Sequence, residues 1–438
     1  MDDPTLSSLC IEQLLSDPIS NVNTISSESN PKATNNPSNE SKKIDYSIPE
    51  NRWNYIKTLI KDKCVPGSKE EMLLNNLFKR YTSIVKCPNE TLGYTTALKH
   101  EILYDGPKSI FIPPYKCAAA EEIELNNEIL RMIQADLIEV SKSGFNLPIL
   151  TVRKKGAGIR IVADTRQLSK YICKLRLPLP AINTLIRSLH NAKTFCVVDL
   201  KEAFFQILLD EKSRHLTCFR TSLGSFQFKR TPMGLPNSPS TMTKLISMVV
   251  SDLKGVLAYL DDILVTGADL DECHRNLEAV FAKLKDFGLT ISPEKCHFFK
   301  PEVLYLGHRI SSEGVKPDPE KVSAIKKFKT PKTLQELRSF LGISSYYRKF
   351  IHKYADTASP LTDITRGYTQ GKGNKISIES KWNKPQEEAF EKLKHIITED
   401  VTLAYPDFNQ PFRLATDASS VAIGGVLSQV IDGKERPI

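Results

Sequence analysis

The sequence predicts an α+β fold, and three observations carry that expectation. Short runs rich in β-branched and aromatic residues close on Gly- or Asp-containing turns, as strands do. Amphipathic patterns of helical period lie between and after them. One apolar stretch, GVLAYLDDILVTG at 255–267, holds two adjacent carboxylates at its centre. That stretch is short and rich in β-formers, so two strands joined at the acidic pair fit it better than one helix.

Taken in order, residues 18–50 are rich in Ser, Asn and Pro and poor in large apolar groups. Such a segment cannot bury enough surface to offset its chain entropy, so 1–50 reads as a disordered acidic leader. NRWNYIKTLI and EEMLLNNLFKRYTSIV, within 51–92, read as short helices, and Lys99 to Pro114 as extended. Glu121 to Ile138 reads as an amphipathic helix with Ile123, Leu130, Ile133 and Leu137 on its apolar side. Two β-rich runs flank Lys154–Lys155–Gly156–Ala157–Gly158, a hairpin signature. KTFCVVDL reads as a buried strand ending in Asp199. LGSFQFKR is a strand, followed by a Gly/Pro/Asn loop and a helix opening near Ser238 or Ser240. Residues 268–287 are helical, as are EKVSAIKKF, LQELRSFLGISSYYRKF and EEAFEKLKHIIT after 320. FRLATDASSVAIGGVLSQVI reads as strand, turn, strand.

At 438 residues the chain is long enough for two to four domains. The net charge is +9 and uneven: residues 1–50 carry about −5. The rest is basic enough to bind a polyanion, although a merely basic protein has the same balance. Nine cysteines are scattered without a CxxC pair, and Cys273–His274 and Cys296–His297 are isolated. Reduced thiols in a cytosolic or nuclear protein are expected. No signal peptide and no membrane-spanning apolar run is seen, so no membrane partner is expected.

Burying an unpaired carboxylate costs several kcal/mol, and adjacent like charges make it worse. Asp261 and Asp262 therefore sit at an exposed turn or are compensated by a cation. Asp199 ends its own apolar strand 62 residues before Asp261. If the two strands pair, three carboxylates converge on one sheet edge, a hard-oxygen set suited to Mg²⁺ and phosphates.

DLKEAFFQI, RTPMGLPNSPSTM, AYLDDILV, GLTISPEKCHFF and LYLGHRI follow one another in this order. Together they resemble the successive polymerase motifs of the reverse transcriptases in gypsy-type LTR retrotransposon Pol polyproteins. LTVRKKGAGIRIVADTRQLS and PLPAINTLIRSL resemble the fingers motif and the segment after it. LRSFLGISSYYRKFI and SPLTDITRG resemble the thumb and connection, and KWNKPQEEAFEKLKHIITEDVTLAYPDFNQPFRLATDASSVAIGGVLSQ the entry to a ribonuclease H domain. The match runs from about 93 to 438. The resemblance implies a right-hand polymerase: fingers and palm over 93–310, thumb and connection over 311–380, and a truncated ribonuclease H-like segment over 381–438.

The same resemblance implies an RNA-directed DNA polymerase that extends a primer with dNTPs on an RNA or DNA template. Asp199, Asp261 and Asp262 would bind two Mg²⁺ ions, with Mn²⁺ as an alternative. Lys154 or Lys155 and Arg160 would clamp the triphosphate; a solvated basic hairpin is the competing reading. Phe204 would exclude the ribose 2′-hydroxyl, with Phe205 as a rival. Met233 and Gly234 would lie beneath the nascent pair, and Lys295, otherwise a surface lysine, near the leaving pyrophosphate. Tyr259 would meet the primer terminus, and Tyr305, Leu306 and Gly307 would form the primer grip. Lys326, Lys327, Lys329, Arg338, Arg348 and Lys349 would track phosphates or simply face solvent. Asp417 matches the first ribonuclease H carboxylate. The remaining acids are expected beyond 438, so hydrolysis by this chain alone is not expected.

The resemblance also implies other Pol or Gag products as partners and a cytoplasmic, virus-like-particle location with nuclear access. Three features depart from the family. No D-[ST]-G protease signature, zinc knuckle or His/Cys integrase finger is present. Ala163 and Thr165 stand where Cys or Val and an aromatic are common. Phe205 stands where His is frequent. The alternative function is a truncated or co-opted remnant that binds nucleic acid without catalysis.

Overall fold

The acidic pair closes a hairpin at the centre of the molecule. Val256–Tyr259 and Asp262–Gly267 pair antiparallel, with Leu260 and Asp261 as the two-residue turn between them. Leu260 takes φ +55° to make that turn, a left-handed conformation that costs a side-chain-bearing residue about 1–2 kcal/mol. The computed structural model describes residues 44–438 apart from 89, 155–157, 176–188, 352, 369–375, 399–401, 419–422 and 432. Most of the predicted leader and all but the last residue of PLPAINTLIRSL lie outside the described residues.

The hairpin belongs to a four-stranded antiparallel sheet in the order His297–Lys300, Thr194–Asp199, Asp262–Gly267, Val256–Tyr259. Its side chains alternate between two cores, as a period-2 strand buried on both faces requires. Cys196, Val198, Ile263 and Val265 face one core, built with the helices Pro49–Ile60, Lys69–Arg80, Ser238–Val250 and Leu270–Asp286. Phe195, Val197 and Leu264 face the other, built with Val303, Tyr305 and the helices after 319. These helices start where the sequence supplies a cap. Ser68 accepts from the Glu71 N–H, and Asp269 accepts from the Glu272 N–H. Thr333 and Glu336 form a reciprocal capping box on Leu334–Tyr346, an arrangement that contributes about 1 kcal/mol.

A third core lies under the hairpin Ile149–Arg153/Ile159–Ala163 and the sheet Ile138–Val140/Gly224–Phe228/Phe219–Thr221. The helix over this core runs Ala119–Gln134 and buries Leu125, Ile129 and Met132. This corrects the expected apolar face: Ile123 is exposed, Leu130 and Ile133 are only half-buried, and Leu137 lies past the helix end. Residues 125, 129 and 132 are spaced i, i+4, i+7 and form a complete stripe of their own. The expected stripe is the wrong one, because what decides the buried face is the sheet that packs against it.

Beyond the four-stranded sheet, Glu302–Tyr305, His308–Ser311 and Gly314–Pro317 form a meander that packs on the helices after 319. At the C-terminal end, Arg413–Ala418, Ile423–Ile431 and Lys434–Pro437 form a separate antiparallel sheet. Among the described residues no helix is long and apolar enough to cross a membrane.

Candidate active site

Register brings the acids together. Asp262 pairs directly with Asp199 on one side and with Tyr259 on the other. Directly paired residues share a face, with Cβ atoms about 4.5–5.5 Å apart. The face is the one that carries Val197 and Leu264. Asp261 stands at the turn beside them.

The electrostatics are those of crowded acids short of cations. Burial pushes the Asp262 carboxyl up to about 6, and the neighbouring Asp261 and Asp199 charges push the same way; Lys295 opposes them. Burial likewise raises Asp199, against the pull of Lys295. The Lys295 ammonium stands 3.3 Å from Asp199 Oδ2, yet that buried oxygen makes no well-aligned hydrogen bond. Backbone contacts hold the cluster in place. The Asp199 N–H donates to the Cys296 thiol sulfur at 3.4 Å, and the Tyr305 hydroxyl donates to the Asp262 carbonyl at 3.3 Å. Among the described residues no group of three His, Cys, Asp or Glu side chains is placed to hold a metal ion by itself. A buried carboxylate oxygen met only by the Lys295 ammonium, and a second acid raised by burial and by its acidic neighbours, nevertheless fit a divalent cation bound together with a phosphate ligand.

A cavity of about 250 Å³ opens nearby, lined by Lys154, Arg160, Met233 and Lys295, four of the residues predicted to bind dNTP. Lys154 is half-buried and lies 3.9 Å from Glu128. Arg160 is exposed on its strand. Lys155 lies outside the described residues. Gly234 has φ +102°, and a Cβ there would stand 2.5 Å from the Ala163 carbonyl. The Thr165 hydroxyl donates to the Gly234 carbonyl at 2.5 Å. Thr165, a departure from the family pattern, thus ties the RTPMGLP loop to the segment after the hairpin, and Gly234 lets that loop approach the Ala163 backbone.

The rival aromatics Phe204 and Phe205 lie in different surroundings. Phe205, not Phe204, lines the cavity, and its ring stacks at 6.3 Å on Phe228. Phe204 packs half-buried on the core behind the sheet. Both sit in the 3₁₀ turn Ala203–Gln206, where successive side chains point about 120° apart, so only one of two adjacent rings can face the cavity.

Leu306 and Gly307, at φ +48° and +69°, form the two-residue turn between paired Tyr305 and His308. Tyr305 is buried and supports Asp262 from behind. The Leu306 carbonyl accepts from the Tyr346 hydroxyl at 2.6 Å, and the Gly307 carbonyl accepts from Tyr347 at 2.8 Å. Asp417 lies on Arg413–Ala418 opposite Gly424. Sequence reasoning missed Lys86, Arg131, Lys201, Glu128, Glu202 and Glu294, which share the cavity wall. Their segments are far apart in the chain, and the sequence carries no local signal that joins them.

Comparison with known proteins follows the same lines. Residues 152–310 match the family described as reverse transcriptase (RNA-dependent DNA polymerase), and 382–438 match the RNase H-like domain found in reverse transcriptase. The chain is similar to the retrovirus-related Pol polyprotein from transposon 297 of Drosophila melanogaster: 36% identical over 370 residues, 83% of this chain and 34% of the relative. It is 35% identical over 394 residues to that from transposon gypsy of the same organism, 87% of this chain and 37% of the relative. The chain spans about a third of the length of these curated relatives. Among solved structures, the foamy viral protease-reverse transcriptase dRH in complex with double-stranded DNA matches with a TM-score of 0.76 and 22% identity, covering 88% of this chain and 66% of that one. The same viral protein in complex with an RNA/DNA hybrid matches at 0.73 and 23%, covering 88% and 51%. At that identity the likeness establishes the right-hand fold. Residues 152–310 thus belong to the reverse transcriptase family and 382–438 to its RNase H-like domain, and over most of its length the chain is similar to transposon Pol polyproteins.

Proposed function

We propose that this chain is an RNA-directed DNA polymerase that extends a primer with dNTPs on an RNA or DNA template. The observation that carries the reading is the Asp199–Asp262 register, which sets three acids beside a cavity walled by cations. The foamy viral relatives of the same fold hold double-stranded DNA and an RNA/DNA hybrid, and the same ligand class suits this basic chain. The division into fingers and palm (93–310), thumb and connection (311–380) and ribonuclease H-like segment (381–438) belongs to this proposal.

Asp199, Asp261 and Asp262 would hold Mg²⁺ or Mn²⁺, which when bound activates the attacking primer hydroxyl and stabilises the departing pyrophosphate. The chain's own residues do the positioning. Lys154 and Arg160 neutralise and orient the triphosphate, with Arg offering a forked donor. Lys295 pairs with Asp199 in the structure and stands ready to meet a phosphate. Tyr305 holds the acidic hairpin in register through the Asp262 carbonyl. Tyr259, on the same face beside Asp262, is placed for the primer terminus. The aromatic that excludes a ribose 2′-hydroxyl is the one whose Val variant admits ribonucleotides. That experiment separates Phe204, which the family pattern selects, from Phe205, which lines the cavity.

The test is Mg²⁺-dependent dTTP incorporation on poly(rA)/oligo(dT), with wild type beside Asp262→Asn. Loss of one preorganised group at a charge-developing centre lowers turnover roughly 10²–10³-fold, and a fall of that size is expected. Incorporation that persists unchanged in Asp262→Asn would sink the proposal. Template–primer binding without incorporation by wild type would favour a remnant that binds nucleic acid only.

A further inference from the structure

The cavity beside the acids carries more positive charge than its known candidates account for. Arg131 is bound by Glu128 at 2.8 Å and Glu202 at 3.3 Å, and Lys201 by Glu294 at 3.5 Å. Lys295 is held by Asp199. Lys86 also lines this cavity, but no ion pair or hydrogen bond reaches its side chain among the described residues. Glu202 and Glu90 act on it only through space, while Arg131 and Lys201 repel it. Burial is the main influence, and it lowers the ammonium below the ordinary lysine value. Half-burying an unpaired cation beside other cations is unfavourable for folding alone. Phosphoryl oxygens are the ligands that reverse this cost, because each neutralises charge and accepts hydrogen bonds.

Resting on the polymerase reading, we infer that Lys86 is a phosphate-binding residue of this cavity, contacting the terminal phosphates of a bound nucleoside triphosphate or the pyrophosphate released from it. It stands outside the 152–310 reverse transcriptase match, on the segment between the helix Lys69–Arg80 and the strand Thr95–His100. Residues ahead of the matched domain would therefore complete its nucleotide site. Lys86 acts as a point charge on a flexible stem, suited to phosphates that move between the bound and departing positions.

The probe is inorganic tripolyphosphate, titrated calorimetrically against wild type, Lys86→Met and Lys86→Arg in the full chain. Lys86→Met keeps the buried stem and removes the charge. The expected result is roughly tenfold weaker binding in Lys86→Met, recovery in Lys86→Arg, and a melting temperature for Lys86→Met equal to or above wild type. Losing one charge-assisted contact gives a change of about that size. Equal affinity in wild type and Lys86→Met overturns the inference, as does a lowered melting temperature in Lys86→Met, which would mark a structural lysine. Primer extension is scored separately. A raised KM for dTTP at unchanged template–primer affinity supports the role in turnover. Tripolyphosphate binding that depends on Lys86 without extension by wild type would defeat the polymerase reading and leave this one standing.

Discussion

Gly234 shows how one residue joins two motifs. Its φ of +102° and the Ala163 carbonyl 2.5 Å from any added Cβ exclude a side chain twice over. Gly234→Ala is expected to cost about 1–3 kcal/mol and to raise KM for dNTP, because the RTPMGLP loop must lift off the fingers hairpin. Denaturant unfolding beside dTTP titration checks both effects, and an unchanged midpoint would contradict the assigned contact. Leu260 and Leu306 bear the same left-handed conformation without a glycine's freedom. In both places a two-residue turn sits at the candidate site: one presents Asp261 and Asp262, the other the Leu306 and Gly307 carbonyls.

At the scale of elements, the second of these turns is clamped to the end of the helix Leu334–Tyr346. Tyr346 and Tyr347 grip its carbonyls, and His308 lies buried between their rings and that of Phe350. His308 Nδ1 lies 2.8 Å from the Leu306 carbonyl and donates to it, while Nε2 is buried without a partner. Burial, then the nearby Lys349, lowers this histidine from its ordinary 6.5 to about 4. His100, hydrogen-bonded to Thr241, is lowered by burial to about 4 as well. Both are neutral in the native state, whereas the unfolded chain takes up their protons below about 6.5. Stability is therefore full above that pH and is lost as pH falls from about 6.5 toward 4. Each histidine contributes a loss on the order of 2 kcal/mol by pH 5. Urea unfolding at pH 7 and pH 5 should show a smaller drop for His308→Gln than for wild type. Equal drops would mean that the imidazole reaches solvent.

Over the whole molecule, an excess of nine positive charges sets the salt dependence expected of the proposed template–primer binding. Lys326, Lys327, Lys329, Arg338 and Arg348 lie on or beside the thumb helices. If six or more phosphates are neutralised, template–primer affinity should fall by about 10³-fold or more between 50 and 200 mM salt, with little sequence preference. Fluorescence anisotropy across a salt series measures that slope, and a flat response would remove the thumb lysines from the interface.

The acidic hairpin, the Asp199 strand, the fingers hairpin and the capped helices could all be read along the chain. Each depends on neighbours within a few residues: alternation of period 2, turn chemistry at the acids and glycines, and Ser, Asp or Thr at helix starts. The ordered motifs likewise pointed to the family, since they lie in sequence whatever the fold does with them. Which face of Ala119–Gln134 is buried, which of Phe204 and Phe205 meets the cavity, and that Lys86, Arg131 and Lys201 share its wall were decided only in three dimensions. Burial of a helix face and convergence of distant charges depend on what packs against them. Those partners come from segments a hundred residues apart, and no local pattern carries that information.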